Sequence, residues 1–227
     1  GVEALTRWRH PMLGLLPAET LMGVAESAQM THRLGAHILG KALDTARSWP
    51  RTLDGLRLAV NVAAEDMQGP DFAERMLGLV SERGFDPSRL TLEVTESGLV
   101  RDIDHAQRVL GHVRAAGIAI AIDDFGTGYS SLAYLKSLPL DYIKIDKQLL
   151  GASHDIERDR IVVQGVIRMA HTLGLKAVAE GVETTAQRLA LRQAECDFYQ
   201  GFLCSPPVPS ARLVELVEEW NEAAAPV

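Results

Sequence analysis

The most constraining stretch of this chain is Ile118–Ala119–Ile120–Ala121–Ile122, apolar at every position. Successive side chains of a strand point to opposite faces, so an all-apolar strand is buried on both. That pattern belongs to a parallel strand covered by helices, not to an antiparallel strand with one wet face. The run extends over Ile118–Phe125, and six further β-rich runs share the chain with it. They are Val2–Trp8, Leu56–Val62, Leu90–Glu96, Tyr142–Asp146, Lys176–Val182 and Phe198–Leu203. Helical patterns lie between them, over Asp102–Ala116, Glu157–Leu173 and Thr184–Ala194. In the second of these, Ile161, Val162, Val166, Met169 and Leu173 recur at helical spacing. Gly117 and Gly174 each separate such a helix from the next strand, where glycine is the favoured left-handed stop. Strand and helix in alternation predict a parallel α/β fold. No linker, low-complexity segment or long charge run interrupts the 227 residues, which read as one domain, 1–227.

Polar residues in these apolar strands carry the functional signal. Glu3, Asn61, Glu93, Glu96, Asp123, Asp124, Asp146 and Glu180 all lie within the runs or at their ends, although strands disfavour Asp and Asn. Taken singly, most have a bland explanation. Glu3 fits an exposed acid on an edge strand, Asn61 a buried amide bonded to backbone, and Glu93 with Glu96 a solvent-facing pair. Lys144 and Asp146, two apart and so on one face of a strand, fit a simple ion pair. Asp123–Asp124 is harder to dismiss, because a helix N-cap uses one Asp and leaves the other unexplained. For both to reach one centre the chain must turn at the strand end, which the glycines of Phe125–Gly126–Thr127–Gly128 permit. If the strands close into a barrel, their C-terminal ends meet at one mouth, the place where barrel enzymes keep their sites. Acids crowded there repel one another unless they are protonated or hold cations. Several carboxylates and one amide oxygen suit a hard divalent ion such as Mg²⁺ or Mn²⁺. A lysine among them can neutralise a transferring phosphoryl group or orient a water.

Composition narrows the partners. Lys and Arg number 23 against 30 Asp and Glu, a net charge of −7, which argues against a protein that coats DNA or RNA polymers through a basic surface. An anionic substrate remains compatible with this charge, since a metal ion inverts the local sign. Two cysteines, Cys196 and Cys204, are too few for a disulfide framework or a four-thiolate zinc site. The seven histidines show no metal-ligand spacing. No Walker A or Gly-x-Gly-x-x-Gly sequence occurs, and no apolar run approaches the ~20 residues of a membrane helix.

The ordered set of motifs resembles the EAL domain family, the bacterial cyclic di-GMP-specific phosphodiesterases. The matching blocks are Glu3-Ala4-Leu5-x-Arg7-Trp8, His10-Pro11, Asn61, Glu93-x-Thr95-Glu96-Ser97, Asp123 to Leu132, Lys144-Ile145-Asp146, Ala179 to Thr184, and Gln200-Gly201. The resemblance implies a TIM-like (β/α)8 barrel and hydrolysis of cyclic di-GMP to linear pGpG with two Mg²⁺ or Mn²⁺ ions. It implies Glu3, Asn61, Glu93, Asp123 and Asp124 as metal ligands, Asp123 bridging. Glu180 would be the general base and Lys144 would hold the attacking water or a phosphate oxygen. Glu96 would brace the Asp124–Leu132 loop. Arg7, Leu5, Glu183, Gln200 and Asp146 would meet the substrate. A homodimer paired near that loop, a sensory or GGDEF domain upstream, and a cytoplasmic location are implied too. The competing expectation is a catalytically silent cyclic di-GMP receptor. Thr6 and Phe202 depart from the family's usual Leu and Tyr. The family's first strand, which carries a Gln-Pro pair, has no counterpart before Glu3, so seven strands are expected, with the chain starting inside the second strand of the barrel.

Overall fold

The computed structural model describes residues 1–100, 102–126, 135–150 and 156–224. Its centre is a seven-stranded, wholly parallel sheet. The strands are β1 (Val2–Glu3), β4 (Leu58–Val62), β5 (Leu90–Thr95), β6 (Ala119–Phe125), β7 (Tyr142–Ile145), β8 (Lys176–Ala179) and β9 (Phe198–Tyr199), paired in that order. An antiparallel hairpin of β2 (Arg7–His10) and β3 (Gly14–Pro17) stands apart from the sheet. Helices fill the crossovers: α1 (Ala18–Ser27), α2 (Thr31–Arg47), α3 (Ala64–Met67), α4 (Phe72–Glu82), α5 (Glu96–Val100), α6 (Ile103–Ala115), α7 (Ile156–Thr172), α8 (Thr185–Gln193) and α9 (Ser210–Ala224). No helix among the described residues is long and apolar enough to cross a membrane.

The expectation for the central strand holds: Ile118, Ile120 and Ile122 are fully buried, and Ala119 and Ala121 are buried with them. Each isoleucine so buried contributes roughly 1.5–3 kcal/mol. Their helical cover includes Leu43 of α2, Leu110 and Val113 of α6, and Ile167 and Ala170 of α7, all in one continuous core with the strands. The helix boundaries follow the local chemistry. Asp102 caps α6 by accepting the His105 N–H at 2.9 Å. Thr184 and Gln187 form a reciprocal capping box on α8. Gly117 and Gly174 adopt φ of 96° and 76°, the left-handed stops expected of them.

Seven strands were expected and seven pair, and the curled sheet is open between β1 and β9, its two edges. One expected element is different. Val2–Trp8 is not a continuous strand. It leaves the sheet after Glu3, and Arg7–His10 turns back to pair with Gly14–Pro17. β1 pairs only with Leu58 and Ala59 although β4 runs on to Val62; the chain beyond it turns away to find its partners in Gly14–Pro17 instead. The last runs are shorter too, Lys176–Ala179 and Phe198–Tyr199.

Candidate active site at the mouth of the sheet

The C-terminal ends of the strands converge on Lys144 of β7. This ammonium is 2% exposed and lies 2.7 Å from Glu180 Oε1, 2.9 Å from Glu93 Oε2, 3.1 Å from Asp123 Oδ1 and 3.5 Å from Glu3 Oε2. Glu3, Glu93 and Asp123 come from β1, β5 and β6, and Glu180 directly follows β8. The register makes this possible: Glu3 pairs with Ala59, Asn61 with Glu93, and Thr95 with Asp123 on the adjoining strands. The expectation that Lys144 pairs with Asp146 is not met. Asp146 lies just past β7, and its Oδ1 accepts the Gln148 N–H at 2.8 Å, capping the turn over Lys147–Leu150.

Amides complete the cluster. Asn61 Nδ2 donates to Glu3 Oε1 at 2.6 Å. Gln200 Nε2 donates to Glu3 Oε2 at 3.0 Å and to Glu180 Oε1 at 2.8 Å. Gln200 follows β9 and Glu3 ends β1, so this amide spans the open seam of the sheet. Gly201 lets the chain pass there: a Cβ on it would lie 2.3 Å from the Val182 backbone nitrogen.

Asp123 and Asp124 do reach one centre. With Glu180 they offer oxygen atoms all within 4.8 Å of one another. The turn that achieves this is made by Asp124 itself, at φ 55°, as well as by Gly126 at φ 102°. It coincides with a slip in the β6–β7 register between Ile122 and Phe125. Asp123 Oδ1 accepts the Asp124 N–H at 2.9 Å and so braces the turn. Residues 127–132 of the glycine-rich loop lie outside the described residues.

The electrostatics of the mouth are unbalanced. Burial pushes the Glu93 carboxyl up to about 8, and the charges of Glu3 and Asp123 add to this against the pull of Lys144. Burial likewise raises Glu180 to about 7, with Asp123 and Glu3 contributing. Asp124 is raised by burial and by the neighbouring Asp123 and Asp146 charges. Glu3 goes the other way: burial opposes ionisation, but Lys144 and the amides of Gln200 and Asn61 outweigh it. Lys144 is held firmly protonated, the surrounding acids overcoming its burial. Glu93 Oε2 is buried with Lys144 at 2.9 Å as its cation. The same ammonium also faces Glu3, Asp123 and Glu180, so it balances only part of the acid charge, and a divalent cation would supply the rest. The donor set is hard oxygen, anionic and amide, which fits Mg²⁺ or Mn²⁺. Asn61 commits its nitrogen to Glu3, so its oxygen is the atom it could offer a cation.

The other expected residues lie around this centre. Glu96 is buried at the head of α5, directly after β5. Leu5 and Arg7 line a cavity of about 440 Å³ that also touches Asn61 and runs between β4 and helices α1, α2 and α4. Glu183 is exposed, its N–H donating to Gln187 Oε1 in the cap of α8. Asp66 was not anticipated. Buried beside the same cavity, it takes His32 Nδ1 and Arg75 Nη2 on one oxygen, each at 2.7 Å. It joins α2, α3 and α4, a long-range lock that no local pattern announces. The histidines are structural as expected, with His171 on Asp197 and His105 on the Met67 carbonyl; His154 lies outside the described residues. Both cysteines are free, their thiols pushed up chiefly by burial.

The family model of the EAL domain matches residues 1–207. The chain belongs to the EAL domain family. Among its relatives, the cyclic di-GMP phosphodiesterase NbdA of Pseudomonas aeruginosa is 40% identical over 226 residues, an alignment covering 99% of this chain and 29% of NbdA. The chain therefore spans less than a third of that relative's length. Two solved EAL structures superpose closely. A MucR phosphodiesterase in complex with c-di-GMP gives a TM-score of 0.86 at 39% identity, covering 94% of this chain and 87% of that one. The EAL enzyme Bd1971, bound to cAMP and cyclic di-GMP, gives 0.88 at 29% identity, covering 95% and 59%. The seven-stranded sheet is thus that of an EAL domain, a TIM-like barrel open at one seam.

Proposed function

We propose that this EAL domain hydrolyses cyclic di-GMP to linear pGpG at the mouth of the sheet, with two Mg²⁺ or Mn²⁺ ions held by Glu3, Asn61, Glu93, Asp123 and Asp124. The observation that carries this reading is the convergence of four carboxylates, from or directly after separate strands, on the single buried ammonium of Lys144. Such a cluster stays ionised only where further cations balance it. Paired divalent ions would supply an activated water near neutral pH and charge neutralisation of the phosphodiester.

The chain's own residues do the rest. Glu180, beside Lys144 and Gln200 at the mouth, takes a proton from the attacking water as general base. Lys144 holds its charge beside the phosphoryl oxygens as negative charge builds there. Gln200 keeps Glu3 and Glu180 from swinging apart. The water oxygen bonds to one phosphorus, the bond from that phosphorus to the 3′-oxygen breaks, and the 3′-oxygen leaves with a proton. The product is open at one end with a 5′-phosphate at the other. Leu5 and Arg7 at the cavity wall, with Glu183 and Asp146 on the opposite side of the mouth, contact the dinucleotide. Glu96 braces the segment after Asp124.

The test is product analysis by chromatography. The domain with Mn²⁺ or Mg²⁺ should convert cyclic di-GMP to pGpG, and Glu3→Ala or Asp123→Ala should abolish this. Unchanged hydrolysis in either variant contradicts the assignment. Tight binding without product in the metal-loaded wild type would make the domain a receptor.

A further inference from the structure

The β2–β3 hairpin is the most exposed apolar feature among the described residues. It leaves the sheet at the mouth and ends in a tip where Met12 is 86% exposed, Leu13 66% and Leu15 63%. The tip is not a frayed loop. His10 Nδ1 accepts the backbone N–H groups of both Met12 (3.2 Å) and Leu13 (3.1 Å), and the His10 ring stands edge-on to Trp8 at 5.0 Å. Gly14, at φ 77°, closes the turn. The chain thus spends hydrogen bonds on presenting three large apolar side chains to water. Isolated exposed leucines are ordinary, but a preformed cluster of them marks an interaction site.

Charge says what kind. The protein carries a net −7, yet no acidic residue occurs between Glu3 and Glu19. The same stretch holds Arg7 and Arg9, whose side chains are exposed on the hairpin, and His10. An apolar tip collared by arginines and backed by a tryptophan matches the boundary between phosphate headgroups and acyl chains. Guanidinium groups pair with phosphate, and the negative surface potential of an anionic leaflet attracts them. A second copy of this chain is the weaker fit. Three side chains at a hairpin tip fall far short of the roughly 800 Å² per partner that a stable complex buries. A bilayer needs no such area, because each inserted side chain loses its own water.

We propose that the hairpin tip Met12–Leu15, with Arg9 beside it, docks this domain on anionic lipid surfaces and holds the mouth of the sheet close to the membrane. Because the turn is already formed, docking costs little ordering of the chain.

The test is cosedimentation of the 227-residue chain with vesicles of phosphatidylcholine alone and of equimolar phosphatidylcholine and phosphatidylglycerol. The chain should pellet with the anionic vesicles, less so as salt is raised, and stay in solution with the neutral ones. Replacing Met12, Leu13 and Leu15 together by Ser should lower the partition at least about tenfold. Arg9→Glu should weaken it and flatten the salt dependence. Circular dichroism and turnover of soluble substrate should be unchanged in both, which separates this proposal from the catalytic one. Absence of wild-type binding overturns the proposal, as does full binding by the triple variant. So does a dimer, seen by analytical ultracentrifugation without lipid, that the triple variant abolishes.

Discussion

The two ends of the sheet use the same acidic side chains to opposite effect. At the N-terminal ends of the strands, Asp141 accepts the Ile120 N–H at 3.0 Å and two bonds from Arg114. Asp197 likewise takes the Ala177 N–H at 2.9 Å and His171 Nε2 at 2.8 Å. Each acid there has its own side-chain partner and its own backbone donor. At the C-terminal ends four carboxylates share one ammonium. Acids at the base are satisfied and hold strands to helices. Acids at the mouth are held together against their own repulsion by a single lysine. The two ends thus differ along the strand axis, with individually paired acids at the base and a charge-dense cluster at the mouth, the end where barrel enzymes keep their sites.

Substitutions at the two ends should therefore give opposite profiles. The largest effect is expected at the mouth: Glu93→Gln or Asp123→Asn should lower metal-dependent turnover by about 10³-fold or more. The thermal midpoint of the metal-free domain should stay level or rise, because a repelled charge is gone. A fall in both together would place these acids in the structural class. Lys144→Met should cost about 3–5 kcal/mol in the metal-free domain, since it strands the buried Glu93 and Asp123 and the half-buried Glu3 and Glu180; added Mn²⁺ should recover part of the loss in a thermal melt. At the base, Asp141→Ala should cost about 1–3 kcal/mol while turnover per folded molecule is retained.

The smallest effect is a pH dependence of the metal-free domain. Glu93 and Glu180 are raised in the folded state to about 8 and about 7, from an ordinary 4.5. The folded state therefore binds their protons more tightly than the unfolded chain does. Their contribution to stability is full below pH 4.5 and is lost as pH climbs towards 8. Glu3, shifted the other way, offsets part of this. The melting temperature without metal should decline from pH 5 to pH 8, and saturating Mg²⁺ should flatten the decline.

Much of this was readable in the sequence. An acid or amide inside an apolar strand is a local anomaly, so Glu3, Asn61, Glu93, Asp123 and Glu180 stood out before any coordinates. The all-apolar Ile118–Ile122 announced a parallel sheet. What stayed hidden was set by partners far along the chain. The contact of Gln200 with Glu3 spans 197 residues, and that of His32 with Asp66 joins separate crossovers. The break of Val2–Trp8 into strand and hairpin carries no Gly or Pro to mark it, because the pairing of Arg7–His10 with Gly14–Pro17 decides it. Helices α2 and α4 were legible but not singled out: Leu39, Leu43 and Ala46 in one, and Phe72, Met76 and Val80 in the other, recur at helical spacing and are buried. Asp124 was expected to be carried round by the glycines that follow, whereas it takes the left-handed conformation itself, which Asp tolerates better than most residues.

The most direct test of the central claim is a calorimetric titration of the metal-stripped domain with Mn²⁺, compared with Asp123→Asn. The wild type should bind two ions per chain and release protons as Glu93 and Glu180 ionise, and the variant should lose at least one of the two sites while remaining folded. A wild type that binds no Mn²⁺, or a variant that binds as the wild type does, would contradict the account.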